Sequence, residues 1–178
     1  MISSGQRPLL FLDVDGPLIP FGAEPWHYPT YPAGPGPRGA GTPGADANPL
    51  LERINPAHGP RLAALPCEVV WATTWMDDAN DCIAPRIGLP RLAVVAWPEP
   101  SATDDQDERD GLHWKTRALV DWAAGRPFAW VDDEIRDTDR AWVAAHHPGA
   151  ALLHRVDPRR GLTDGDYAAL DAWLRQLS

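Results

Sequence analysis

The chain has 178 residues, enough for one domain with its own core and too few for two full ones. Hydrophobic residues make up 44% and charged residues 23%, an ordinary globular balance, and the longest apolar runs, such as residues 92–97, are far too short for a membrane span. A net charge of −9 gives no long-range attraction toward nucleic acid or an anionic membrane, though it leaves room for a locally basic pocket.

Residues 1–8 lack a basic segment followed by an apolar one, so no secretory signal is expected and a cytoplasmic location follows by default. Residues 8–14 read as a buried strand, with Leu9, Leu10, Phe11 and Leu12 running into Asp13. From 17 to about 48 the chain is dense in Pro and Gly and shows no helical period. This stretch is expected to be a long flap or loop insertion, with a short hairpin near 19–27. Asn55 and Pro56 mark the start of a helix reaching about Leu65. Residues 68–72 form a second buried strand ending at Thr73 and Thr74, and a short helix is expected over 76–84. Cys67, beside that strand, reads as a small core residue. With Cys82 it makes only two cysteines, too few for a disulfide framework or a zinc site.

Residues 92–97 give a third strand, and the acidic stretch 98–111 reads as a solvated loop rather than a metal site. A helix is expected over 112–124, closed by Gly125, then a fourth strand over 128–131 ending at Asp132 and Asp133. A helix over 134–146 and a fifth strand over 151–156 follow. Thr163 and Asp166 form a capping box for a last helix, whose stripe of Tyr167, Leu170, Trp173, Leu174 and Leu177 is core packing. Strands alternating with helices predict an α/β fold: a Rossmann-like three-layer sandwich around a five-stranded, mostly parallel sheet, one domain over 1–178. Reactive groups in such sheets gather at the carboxyl ends of strands. Three of the five expected strands end in Asp or Thr.

The segment from Phe11 to Gly16 carries the sharpest chemistry. Asp13 stands at the mouth of a buried strand, Asp15 follows two positions later, and Gly16 permits a sharp reversal. Two carboxylates placed there are costly unless paired, hydrogen-bonded or holding a cation. Mg²⁺, which takes hard oxygen ligands together with substrate phosphate, is the natural candidate.

This segment resembles the first motif of the haloacid dehalogenase-like (HAD-like) superfamily, an apolar strand followed by Asp-x-Asp-Gly. Val69-Val70-Trp71-Ala72-Thr73 resembles the second motif, Lys115 near a helix start the third, and Trp130-Val131-Asp132-Asp133 the fourth, all in the family's order. The resemblance implies a phosphohydrolase in which Asp13 attacks phosphorus and Asp15 acts as general acid and base. Mg²⁺ would then lie between Asp13, the backbone carbonyl of Asp15 and Asp133, with Asp132 as an outer or water-mediated partner. Thr73 would bond a phosphoryl oxygen, with Thr74 the competing choice; Gly16 would border the phosphate, and Lys115 would offset the negative charge. Lys115 is the chain's only lysine, which weakens a merely solubilising reading. Asp137 is either a contact of a metal-bound water or a helix-surface carboxylate. Pro17 departs from the motif, where the family usually has Thr or another small polar or β-branched residue. An acid/base aspartate at position 15 disfavours carbon–halogen cleavage.

The acidic stretch before Lys115 is too small for a large cap domain and the Pro/Gly-rich segment lacks the periodic helices of a helical cap, so the protein is expected to be capless or covered by an extended flap. Trp26, His27 and Tyr28 in the flap either anchor the loop or stack on a base or sugar. The remaining histidines, His58, His113, His146, His147 and His154, show no metal-ligand spacing, and Arg159 and Arg160 read as surface charges within reach of an anionic substrate. Three functions are compatible with these residues. The first is a phosphomonoesterase acting on a small phosphorylated metabolite. The second is a phosphatase acting on nucleic-acid ends, as in RNA repair, disfavoured by the net charge. The third is a binding module that kept the fold without the chemistry.

Overall fold

The structure, a computed structural model, describes residues 6–32 and 48–177. Most of the Pro/Gly-dense flap expected from the sequence, residues 33–47, lies outside the described residues. Five strands form one all-parallel sheet: β1 (Leu9–Leu12), β2 (Glu68–Trp71), β3 (Ala93–Val94), β4 (Phe128–Asp132) and β5 (Ala151–Arg155), in the order β3-β2-β1-β4-β5. β1 is central, and its four residues are all fully buried, which explains why they read as a continuous apolar run rather than an alternation.

The strand period of two divides these residues between two cores. Leu10 and Leu12 join Trp71, Ala129 and Val131 on one face. There they pack against α1 (His58–Ala64), α2 (Asp78–Cys82), α3 (Ala84–Ile87) and α7 (Asp164–Arg175). Leu9 and Phe11 join Val70, Phe128 and Trp130 on the other, against α5 (Thr116–Ala123) and α6 (Asp137–His146). The result is the three-layer α/β sandwich expected from the sequence, with a sheet parallel throughout rather than mostly so. Among the described residues there is no separate cap domain.

Several elements differ from expectation. Residues 102–109 of the acidic stretch form a helix, α4 (Ala102–Arg109), instead of a loop. Asp104 accepts from the Ser101 backbone N–H at 2.6 Å, a reciprocal cap that outweighs the repulsion among the acids. Asp107 is then neutralised by a two-pronged contact with Arg117 at 2.5 and 2.7 Å. The helix expected over 76–84 begins later and breaks in two, because Met76 adopts a left-handed φ of 52° and Pro85 opens a new turn. α5 and α6 each start three or four residues later than expected, after turns that carry site residues. The third strand keeps only two paired residues. No hairpin occurs over 19–27: one bridge joins Asp15 and Ile19, and Pro25–His27 is a single 3-10 turn. Tyr28 anchors that turn, taking the Ala23 N–H at 2.9 Å and stacking under the Arg53 guanidinium.

Candidate active site

The sheet order reverses direction at β1: β2 and β3 extend one way, β4 and β5 the other. The crevice beyond the carboxyl ends of β1 and β4 is therefore where a ligand has access to strand-end groups. Asp13 follows β1 directly, Thr73 lies two residues beyond the end of β2, and Asp132 and Asp133 end and follow β4. Lys115 reaches the same rim from the turn that caps α5.

The one lysine ties these strand ends together. Its Nζ donates to Asp132 Oδ2 at 2.8 Å and to the Ala72 carbonyl at 3.0 Å, and lies 3.2 Å from Asp13 Oδ2. Lys115 is only 3% exposed, so this ammonium is a structural and electrostatic hub rather than a surface charge. Burial works against its charged form, but Asp13 and then Asp132 outweigh that and raise its pKa above the ordinary lysine value. Asp13 also accepts from the Val14 N–H at 2.8 Å, and Asp132 from the Glu134 N–H at 2.9 Å. Both acids are thus fixed in orientation.

Asp13, Asp132 and Asp133 each bring one carboxylate oxygen to within 4.8 Å of the others. One ammonium, paired with Asp13 and Asp132, serves a cluster of three carboxylates, leaving two formal negative charges at a largely buried rim. The imbalance acts on their pKa values. Burial first, then Asp132, pushes Asp13 up to about 7 against the opposing pull of Lys115. The same two causes push Asp133 up to about 6. A hard oxygen donor set with an excess of two negative charges fits a divalent cation such as Mg²⁺.

The turn after β1 shapes the site. Leu18 and Ile19 N–H groups both bond the Val14 carbonyl at 3.0 Å, and Gly16 donates to the Ile19 carbonyl at 2.9 Å. Gly16 has φ +100°, and a Cβ there would stand 2.8 Å from Asp133 Cγ. Only glycine lets this turn close against the fourth motif. Asp15, half-buried, accepts on Oδ2 from the Trp75 indole N–H at 3.1 Å.

Thr73 is fully buried, and its Oγ1 accepts from the Trp75 N–H at 3.2 Å; Thr74 is exposed. Asp137 is an exposed surface carboxylate paired with Arg140 at 2.9 Å, the plainer of the two sequence readings. Arg159 and Arg160 are exposed, as is Arg155, whose Nε holds the Asp133 carbonyl at 3.0 Å.

Sequence reasoning missed the aromatic wall. Trp97 and Trp114 meet edge to face at 4.8 Å, with Lys115 Nζ 5.9 and 5.6 Å from their rings. The Trp97 indole N–H bonds the Thr73 carbonyl at 3.1 Å. Their positions next to Lys115 and just past the third strand were the available signal. His113 was also missed. With Asp132 and Glu134 it forms a second group whose ligand atoms lie within 4.8 Å. Its Nδ1 accepts the Lys115 N–H at 3.1 Å, so in the neutral ring Nε2 carries the proton and donates to Glu134 at 3.1 Å. That leaves no lone pair on Nε2 for a metal, and the group is a hydrogen-bonded brace behind Lys115.

A parallel α/β sheet with a carboxylate cluster and a buried lysine at the crevice of its order reversal defines a HAD-like domain. The family model described as "HAD domain in Swiss Army Knife RNA repair proteins" matches residues 9–167, from the first residue of β1 into α7, and the chain belongs to that family. No curated protein and no solved structure shows a significant match. Among the described residues no helix is long and apolar enough to cross a membrane.

Proposed function

We propose that the protein is a Mg²⁺-dependent phosphomonoester hydrolase that works through an aspartyl-phosphate on Asp13. The observation that carries this reading is the cluster of Asp13, Asp132 and Asp133, in which one buried lysine, paired with Asp13 and Asp132, leaves two formal negative charges over. Asp13, the backbone carbonyl of Asp15 and Asp133 would hold the cation, with Asp132 shared between it and Lys115. Bound there, Mg²⁺ supplies charge neutralisation and polarises the phosphoryl group.

The chain's own residues supply the rest. Asp13 is pinned by the Val14 N–H through Oδ1, which leaves Oδ2, beside Lys115, as the oxygen that attacks phosphorus. Lys115 favours the ionised form of that carboxylate and then meets the charge growing on the phosphoryl oxygens. The hydroxyl of Thr73 and the turn at Gly16 would border the same phosphoryl group. Asp15 gives a proton to the leaving oxygen, then takes one from the water that releases phosphate.

For substrate, the leading reading is a small phosphorylated metabolite, at a site with no cap domain among the described residues. A second reading, a terminal phosphate on a nucleic acid, is favoured by the family's description and by the wall beside Lys115. Trp114 is 45% exposed there and offers a face for stacking a base, and the exposed Arg155, bonded to the Asp133 carbonyl, stands at the site's edge. Purified protein is expected to release phosphate from p-nitrophenyl phosphate with Mg²⁺, to stop with EDTA, and to be inactive as Asp13→Asn. No turnover across small phosphates and 3′- or 5′-phosphorylated oligonucleotides would refute the enzyme reading and favour a binding module. Turnover confined to the oligonucleotides would select the nucleic-acid substrate.

A further inference from the structure

We infer that Trp75 is a positioning residue for the proton transfer assigned to Asp15: its indole N–H holds the Asp15 carboxyl group in one orientation. This rests on the phosphohydrolase reading above. The indole Nε1 donates to Asp15 Oδ2 at 3.1 Å. An indole N–H is a donor only and has no lone pair to accept from a protonated carboxyl. The proton of a protonated Asp15 therefore cannot point at the indole nitrogen, and placing it on Oδ1 leaves Oδ2 as the carbonyl oxygen, the better acceptor for the indole N–H. Asp15 is thereby held with Oδ2 at the indole, and the bond limits rotation of its side chain.

Trp75 is itself held in place. Its backbone N–H bonds Thr73 Oγ1 at 3.2 Å, and its half-buried ring packs against the core cluster on the face of the sheet that carries Leu10 and Leu12. The Met76 N–H bonds the Thr73 carbonyl at 3.3 Å, and the left-handed φ of Met76 turns the chain away immediately afterwards. One turn after β2 thus carries both the buried threonine and the indole that orients the aspartate after β1. The donor spans 60 positions in sequence to link the two adjacent strand ends.

The test compares an acidic with a poor leaving group. A general acid matters little when the leaving oxygen is as weakly basic as p-nitrophenolate and much when it is an alkoxide. In Trp75→Phe with Mg²⁺, kcat/KM for an alkyl phosphate such as glycerol phosphate is expected to fall by roughly 10- to 100-fold. For p-nitrophenyl phosphate the fall should stay within about threefold. Asp15→Asn should show the same leaving-group dependence more strongly. Equal losses for both substrates, or no loss for either, would overturn the inference while leaving the phosphatase reading intact. Wild-type protein inactive on both substrates would overturn the phosphatase reading and this one with it. If Trp75→Phe fails to fold, incorporation of benzothienylalanine at position 75, which replaces the indole N–H by sulfur and little else, reads the same ratio.

Discussion

Gly16 and Asp133 are in closer contact than any other residue type at position 16 would allow: a Cβ on Gly16 would lie 2.8 Å from Asp133 Cγ and 2.9 Å from its Cβ and Oδ1. The contact joins the reversal after β1 to the end of β4. It makes the first and fourth motifs a single unit rather than two neighbouring loops.

Gly16→Ala should therefore damage the site through two effects at once. The added methyl displaces the Asp133 carboxylate, and alanine is strained at φ +100°. We expect a stability loss of about 1–3 kcal/mol by denaturant unfolding, together with weaker Mg²⁺ binding by calorimetry. Unchanged Mg²⁺ affinity would show that Asp133 lies outside the cation site.

Lys115→Met should be worse for the fold than a surface lysine substitution. It leaves Asp132, 1% exposed, and Asp13, 8% exposed, without their shared cation. Removing one partner of a buried pair costs about 3–5 kcal/mol, far beyond an exposed pair. Saturating Mg²⁺ should return part of the lost thermal stability but not the turnover, which is expected to drop about 100-fold or more. Differential scanning calorimetry with and without Mg²⁺ checks the first half, phosphate release the second.

The raised carboxylates give a pH signature. Asp13 and Asp133 titrate near 7 and 6 in the metal-free fold against an ordinary 3.8, so the folded chain binds more protons than the unfolded chain between those limits. Metal-free stability from these groups is present below pH 4 and is lost as pH rises through 6 and 7. A cation held by the same oxygens removes that loss. The rise in Tm on adding Mg²⁺ should therefore grow steadily from pH 5 to pH 8. A Mg²⁺ effect independent of pH over that range would separate the cation from these carboxylates.

Much of this was legible in the sequence because the fold's signals are local. The apolar run into Asp13, the strand ending at Thr73, and the acidic pair after Val131 announce themselves within five or six residues, and the alternation of elements then sets them on one rim. Lys115 was legible mainly by being the chain's lone lysine. What escaped depended on pairings remote in sequence or on caps. Trp75 meets Asp15 across 60 residues, and His113 acquires its role only where Glu134 comes to it. Helix α4 was hidden because its charge pattern suggests a solvated loop. The decisive features were the Ser101–Asp104 cap and the Asp107–Arg117 contact, the latter invisible without the fold.

The most direct test is to look for the phosphorylated carboxylate itself. Protein turning over substrate with Mg²⁺ is quenched, reduced with borohydride and digested, and the peptide containing residue 13 is read by mass spectrometry. We expect Asp13 to be converted to homoserine, only when substrate is present and never in Asp13→Asn. Steady phosphate release with Asp13 unmodified, or with the reduction found at Asp132 or Asp133 instead, would contradict Asp13 as the nucleophile.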